Sequence, residues 1–216
     1  MTWTARPFPL VVSAPSGAGK TTLARALVKR RKGLVFALSA TTRERRPTER
    51  DGRDYRFVDG PEFDRLIAAN ELLEWAWVHQ QRYGTLKGSV ARALDAGHCP
   101  VLDIDVQGAR RVRELFADSV LAFVLPPSAA ELERRLDSRG SEDERQRRLR
   151  LGTALEELRA VPEFDYIVVN DDFESAVDSL DAIVTAERQR RQRYVALESR
   201  VAKLERVLKS RMGEAR

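Results

Sequence analysis

The sequence predicts an α/β fold, a parallel sheet flanked by helices, and three observations carry that prediction. Short apolar runs rich in Val, Leu and Phe recur along most of the 216 residues, which is how strands buried on both faces read. Amphipathic stretches of helical period follow most of those runs, as parallel crossovers require. The chain is 43% hydrophobic, enough to build one sizeable core with a smaller attached lobe.

The first apolar run, Leu10 to Ser13, opens the segment LVVSAPSGAGKTTLARAL: a strand, a turn of small residues, and a helix over Thr21 to Lys29. Leu34 to Leu38 is the second strand. Between residues 39 and 96 the rhythm changes. DYRFV, a short helical PEFDRLIAAN, LLEWAWV and QRYGT mix aromatics with alternation, the mark of a small mixed sheet inserted into a core of 9–38 and 97–190. Trp75 and Trp77 are expected in the core, on the strand that carries Glu74. Three more strands follow at Val101 to Ile104, Val120 to Leu125 and Tyr166 to Val169, with helices at Ala109 to Leu115 and Ala129 to Leu136. The stretch 138–150 is almost wholly polar and reads as a mobile flap or as a solvated helix start. A long helix starts at Glu174.

Past that helix lies a basic tail, 191–216, in which Tyr194, Leu197, Val201, Leu204 and Leu208 recur at steps of three and four, a coiled-coil seam of about two heptads. An extension of the last helix that pairs with a second copy or packs on the body is one reading of it; a frayed basic tail is the other. The net charge of +5 belongs to this end, since residues 188–216 hold ten Lys and Arg against three Asp and Glu. The body is nearly neutral, so binding to nucleic acid or to an anionic membrane ranks behind the other readings. The single cysteine, Cys99, rules out a disulfide within the chain, and His79 and His98 lack partners at metal-ligand spacing. No apolar stretch approaches the roughly 20 residues that span a bilayer, and a soluble, cytoplasmic protein is expected.

The strand, turn and helix at residues 10–29 carry a known chemistry. A tight turn feeding a helix aims backbone N–H groups and the positive end of the helix dipole at one point, which suits a phosphate. Ser16, Gly17, Ala18, Gly19, Lys20, Thr21 and Thr22 form this cradle, with Lys20 placed to reach the β- and γ-phosphates of ATP and the Thr21 hydroxyl suited to Mg²⁺. Ala14 stands where the motif GxxxxGK[ST] asks for glycine. A methyl group is tolerable there if the residue has negative φ.

A phosphate cradle alone does not separate hydrolases from kinases, so an acceptor site must decide. The inserted lobe supplies one in SATTRERRPTERDGRDYRFV and ELLEWAWVHQQRYGT, followed by VLDIDVQGAR. SATTR, DYRFV, LEWAWVH with YGT, LDIDVQGA, FVLPPS, RLDSRG and IVVNDD together resemble the signatures of the guanylate kinase family, in family order, over roughly Pro9 to Arg188. The resemblance implies a P-loop NTPase-type core, an inserted GMP-binding lobe at 39–96, a mobile lid at 138–150, and transfer of the γ-phosphoryl group of ATP to GMP. A guanylate-kinase-like module that binds phosphorylated partners is the alternative, although such modules typically lose the working cradle that Lys20, Thr21 and Asp103 complete here.

The acceptor residues make chemical sense on their own. Arg43 and Arg46 offer forked donors to a phosphate dianion, supplemented by Tyr55 and Tyr83. Carboxylates at Glu74 and Asp105 with hydroxyls at Ser39 and Thr85 complement the N1–H, N2–H₂ and O6 edge of guanine. Adenine would set a lone pair against a carboxylate, at a cost of about 1 to 3 kcal/mol per mismatched group in a dry site. Asp103, at a strand end, orients the metal or its waters. Arg135, Arg139 and Arg148 match family arginines that close over the transferring group, or else pair with Glu142, Asp143 and Glu144. Asn170 resembles the family position beside adenine, or serves as a turn residue ahead of Asp172 as N-cap. The lid is about two residues shorter than the family pattern, and RERRPTE replaces the family's RxPRxGE. Glu49 there either orients the arginines or is a surface charge.

Overall fold

The computed structural model describes residues 3–78, 80–137 and 144–214. In chain order the elements run β1 (Leu10–Ser13), α1 (Lys20–Arg30), β2 (Leu34–Phe36), β3 (Ser39–Thr41), β4 (Arg56–Phe57), α2 (Gly60–Ala68), β5 (Leu72–Val78), β6 (Gln81–Leu86) and α3 (Lys87–Asp95). They continue as β7 (Cys99–Asp103), α4 (Val106–Leu115), β8 (Val120–Leu125), α5 (Ala129–Asp137), α6 (Glu144–Arg159), β9 (Tyr166–Val169), α7 (Phe173–Arg188) and α8 (Leu197–Glu214).

Five strands form one parallel sheet in the order β2-β7-β1-β8-β9. β1 lies at its centre and is buried along its whole length. Its side chains alternate between two cores. Leu10 and Val12 pack with Leu27 of α1 and with Leu180 and Val184 of α7, while Val11 packs on the opposite face with Leu102, Val112 and Leu121. Both faces are therefore covered, as the continuous apolar runs require.

The second sheet, in the order β4-β3-β6-β5, is mixed, with β3 parallel to β4 and antiparallel to β6. It has its own small core of Ala40, Phe63, Leu66, Leu72 and Leu86.

Two expectations need correction. Trp75 and Trp77 are 44% and 64% exposed, because β5 is the edge strand of the mixed sheet and only its first residues are covered, Leu72 by the lobe core and Leu73 by the core of the parallel sheet. The last helix does not run on into the tail. α7 stops at Arg188, a 3₁₀ turn spans Arg191–Arg193, and α8 starts afresh after Ala196, whose φ of 55° breaks the helical path. The break is fixed by Arg193, which is 3% exposed, reaches Glu187 at 2.8 Å and lies 3.9 Å over the Phe8 ring. Backbone pairing of Arg193 and Val195 with Arg6 and Thr4, and of Tyr194 with Ala5, ties this stretch to the body ahead of α8. No helix among the described residues is long and apolar enough to cross a membrane.

Candidate active site

Between β1 and α1 the chain turns through Gly17 (φ 89°) and Gly19 (φ 92°), both in the left-handed region that glycine enters without strain. Glycine is also needed at 19 for space, since a methyl group there would lie 2.8 Å from Asn170 Nδ2. Ala14 does not have positive φ and is buried in the core around Leu10 and Leu23, so its methyl group is accommodated. α1 has no side-chain N-cap and no acid in its first turn. Its leading N–H groups and dipole are left for an anion.

The cradle is braced from behind. Asn170 Nδ2 donates to the Ala18 carbonyl at 2.7 Å, Arg135 Nη1 donates to the same oxygen at 3.4 Å, and Arg135 Nη2 donates to the Asn170 carbonyl at 3.2 Å. Glu131 orients the guanidinium by accepting its Nε–H at 2.7 Å. Asp172 caps α7 through Ser175 N–H, which leaves Asn170 as a bracket for the turn.

β1 and β7 are neighbours with Val12 opposite Asp103, so the strand end bearing Asp103 meets the helix start bearing Lys20. Lys20 Nζ lies 3.0 Å from Asp103 Oδ1, an ionic contact without an aligned hydrogen bond. Thr21 follows on the first turn of α1, and Thr22 beside it is exposed. Among the described residues no group of three or more His, Cys, Asp or Glu side chains is set to hold a metal. The Thr21 hydroxyl and the Asp103 carboxylate suit a cation such as Mg²⁺, which takes one or two protein oxygens and completes its shell with phosphate and water.

The residues expected to bind the acceptor lie on or beside the mixed sheet, except Asp105, which follows β7. Pairing of β3 with β6 sets Ser39 opposite Thr85 and Thr41 opposite Tyr83. Thr85 donates to Glu74 Oε1 from its backbone N–H at 3.0 Å and from its hydroxyl at 2.5 Å, and the Ser39 hydroxyl stands 3.5 Å from that of Thr85. Glu74 packs on Gly108, where a methyl group would lie 3.2 Å from Oε2. Asp105 caps α4 by accepting Gly108 N–H at 2.8 Å. Burial pushes the Glu74 carboxyl up, the nearby Asp105 adds to this, and the Thr85 hydrogen bonds oppose it.

Arg43 Nε donates to the Tyr83 hydroxyl at 3.2 Å, and the guanidinium lies 5.5 Å over the Tyr55 ring. Tyr55 and Tyr83 meet edge to face at 5.9 Å. Glu49 settles its open reading: its side chain is 14% exposed, it takes Arg43 Nη2 on both oxygens at 2.8 and 3.1 Å and the Arg46 backbone N–H at 2.9 Å. The Arg43 hydrogen bond is the main reason the Glu49 carboxyl is held below its usual range.

The guanylate kinase family model matches residues 6–187. The chain belongs to the guanylate kinase family. It is similar to the guanylate kinase of Nitrobacter hamburgensis, at 47% identity over 206 residues that cover 95% of this chain and 94% of that one. The guanylate kinase of Dechloromonas aromatica is 49% identical over 176 residues, 82% of this chain and 87% of that one. The crystal structure of guanylate kinase from Anaplasma phagocytophilum superposes with a TM-score of 0.74 at 32% identity, covering 91% of this chain and 94% of that one.

The candidate residues gather in two groups, one around Ser16 to Thr21 with Asp103, Arg135 and Asn170, the other around Ser39, Arg43, Tyr55, Glu74, Tyr83, Thr85 and Asp105. Arg46 is exposed and joins the second group through its backbone. Arg148 lies exposed on α6. Arg139 and the stretch 138–143 of the expected lid lie outside the described residues.

Two contacts at the site carried no signal in the sequence. Glu157 of α6 accepts the Ser16 backbone N–H at 3.1 Å, and Arg25 of α1 holds Asp54, beside Tyr55, at 2.6 Å. Each joins residues far apart in the chain whose side chains, taken singly, read as surface charge.

Proposed function

We propose that this chain transfers the γ-phosphoryl group of ATP to GMP, giving ADP and GDP, with 39–96 as the acceptor lobe. One observation supports this most strongly: the two groups of residues converge on Asp103. Its carboxylate touches Lys20 of the donor cradle, and, two residues on, Asp105 of the acceptor group caps α4 at Gly108, against which Glu74 packs. A triphosphate held by the cradle and a monophosphate held by Arg43, Arg46, Tyr55 and Tyr83 would meet end to end there. The acceptor oxygen then attacks the γ-phosphorus directly, so positioning and charge neutralisation are the catalysis.

Lys20 holds the β- and γ-phosphates, and the backbone from Ser16 to Thr22 cradles them, braced by Asn170. Arg135, with Arg139 and Arg148, neutralises charge on the transferring group. Glu74, Asp105, Ser39 and Thr85 read the guanine edge. Mg²⁺ on Thr21 and Asp103 would shield the phosphate oxygens. We place the protein in the cytoplasm, where Cys99, buried and free, stays reduced. A second copy pairing through α8 is the partner that its apolar stripe suits. The binding-module alternative would have no use for the Lys20–Asp103 contact or the braced cradle.

Release of ADP in a coupled assay with GMP, AMP, CMP and UMP as acceptors tests the reading. GMP is expected to exceed AMP by a factor on the order of 100 in kcat/KM, the effect of two or more mismatched polar groups. Equal rates with GMP and AMP would refute it.

A further inference from the structure

α6 bears Arg148 and packs on α5 through a short apolar seam. Leu151 and Ala154 pack against Leu132 and Leu136 of α5, and Leu136 and Leu132 close over Gly17, where a methyl group would meet them at 3.1 and 3.7 Å. Three residues past Ala154, on the same inward side of the helix, Glu157 makes a polar tie to the adjoining residue of the cradle. Its Oε2 accepts the Ser16 backbone N–H at 3.1 Å across 141 positions of chain.

A glutamate at this point is costly. Burial raises its carboxyl, and the negative Asp105 nearby adds to that, while Ser16 N–H and Lys20 offset it. A solvated surface glutamate would incur none of this, so the group is held there by what it contacts. Ser16 is at the lip of the turn, one residue before Gly17, whose left-handed φ sets the direction of every N–H that follows. A hydrogen bond from outside the turn removes a freedom that the small residues cannot remove themselves.

We propose that Glu157 is a positioning residue for phosphoryl transfer, fixing the lip of the phosphate cradle through Ser16 N–H and coupling it to the helix that carries Arg148. The role lies in the acceptor oxygen rather than in the negative charge. It rests on the ATP:GMP reading for its kinetic consequence but not for its structural one.

The test compares wild type with Glu157→Ala and Glu157→Gln in two measurements. In the ADP-release assay Glu157→Ala is expected to lose about tenfold in kcat, the effect of one misaligned hydrogen bond, with KM for GMP within about twofold of wild type. Glu157→Gln, whose amide oxygen can accept the same N–H, recovers at least half of the wild-type kcat. A residue that only packed α6 would move the melting temperature without this split between kcat and KM and without rescue by Gln. Should Glu157→Ala not fold, Glu157→Asp, one methylene too short to reach, takes its place with the same expectation.

In hydrogen exchange, which needs no acceptor substrate, Glu157→Ala should raise exchange at Ser16–Gly17 and along 148–159 together, with ATP present. A kcat within twofold of wild type for Glu157→Ala, a Gln variant as slow as the Ala variant, or exchange that rises on α6 alone would each overturn the proposal. If wild type itself failed to phosphorylate GMP, the functional reading would fall while the exchange result still decided the coupling.

Discussion

At Glu74 recognition and stability pull in opposite directions. Its carboxyl is raised above the usual 4.5 by burial first and by Asp105 second, against the two hydrogen bonds from Thr85. The folded protein therefore holds this proton more tightly than the unfolded chain does. The stability this contributes is fully present below pH 4.5 and is lost as pH rises through the folded value. Glu74→Gln keeps an acceptor for Thr85 and removes the charge. Its denaturation midpoint at neutral pH should exceed that of wild type, and the wild-type decline with rising pH should flatten. The amide N–H₂ it sets toward guanine opposes the N1–H and N2–H₂ donors, so kcat/KM for GMP should fall roughly 10- to 100-fold. Denaturation curves that overlay at every pH would refute the buried-charge account, and undiminished selectivity for GMP over AMP would refute the guanine-edge account.

At the scale of the elements, α8 presents an apolar stripe to solvent: Val201, Leu204 and Leu208 are 41%, 49% and 60% exposed. With Val201 and Leu208 at a positions and Leu204 at d, Arg200 and Glu205 fall at g and e. In a parallel pair these two attract across the seam, whereas antiparallel pairing sets like with like. Two heptads give a weak dimer, so sedimentation should show mass rising with concentration, and Leu204→Glu with Leu208→Glu should abolish the rise without altering turnover. A mass independent of concentration in the unaltered protein would refute the pairing. The same scale shows what the sequence could convey. β1 and β8 read directly because a strand buried on both faces is a continuous apolar run, β9 read from its β-branched residues although it is an edge strand with Ile167 and Val169 exposed, and the turn into α1 read from its glycines because few other residues enter its backbone. Trp75 and Trp77 misled because an aromatic on a strand reads as core whether the strand lies inside a sheet or, like β5, at its edge. The break after α7 was hidden for a related reason: Arg193 is buried by a partner six residues back and a ring at the other end of the chain, and arginine in a basic run gives no periodicity to find. Glu49 and Asn170 were legible as residues suited to hydrogen bonding, but their partners, like the tie between Glu157 and Ser16 that gave no sign at all, are set by how sheets and helices meet.

On the scale of the whole molecule, transfer requires the cradle on one sheet and the clamp on the other to keep a fixed spacing, since a shift of about an ångström in the reacting atoms costs rate steeply. Part of that spacing is set by apolar packing, with Leu73 of β5 seated among Leu102, Ile104 and Val112. A second part is ionic. α1 begins at Lys20 and one and a half turns later presents Arg25, whose Nη1 donates to Asp54 Oδ1 at 2.6 Å. The Asp54 side chain is 7% exposed and accepts Arg50 N–H at 2.9 Å on its other oxygen, so it holds the loop that ends in Tyr55. The pair thus runs from the helix proposed to hold the donor to the loop proposed to hold the acceptor. If this is its role, Arg25→Ala and Asp54→Ala should each raise KM for GMP about fivefold or more while KM for ATP stays within about twofold, because α1 keeps its own packing with α7. The double variant should be no worse than the worse single one, a coupling of about 1 kcal/mol. Independent effects that multiply in the double variant would show that the two side chains act separately and that packing alone sets the distance between the substrates.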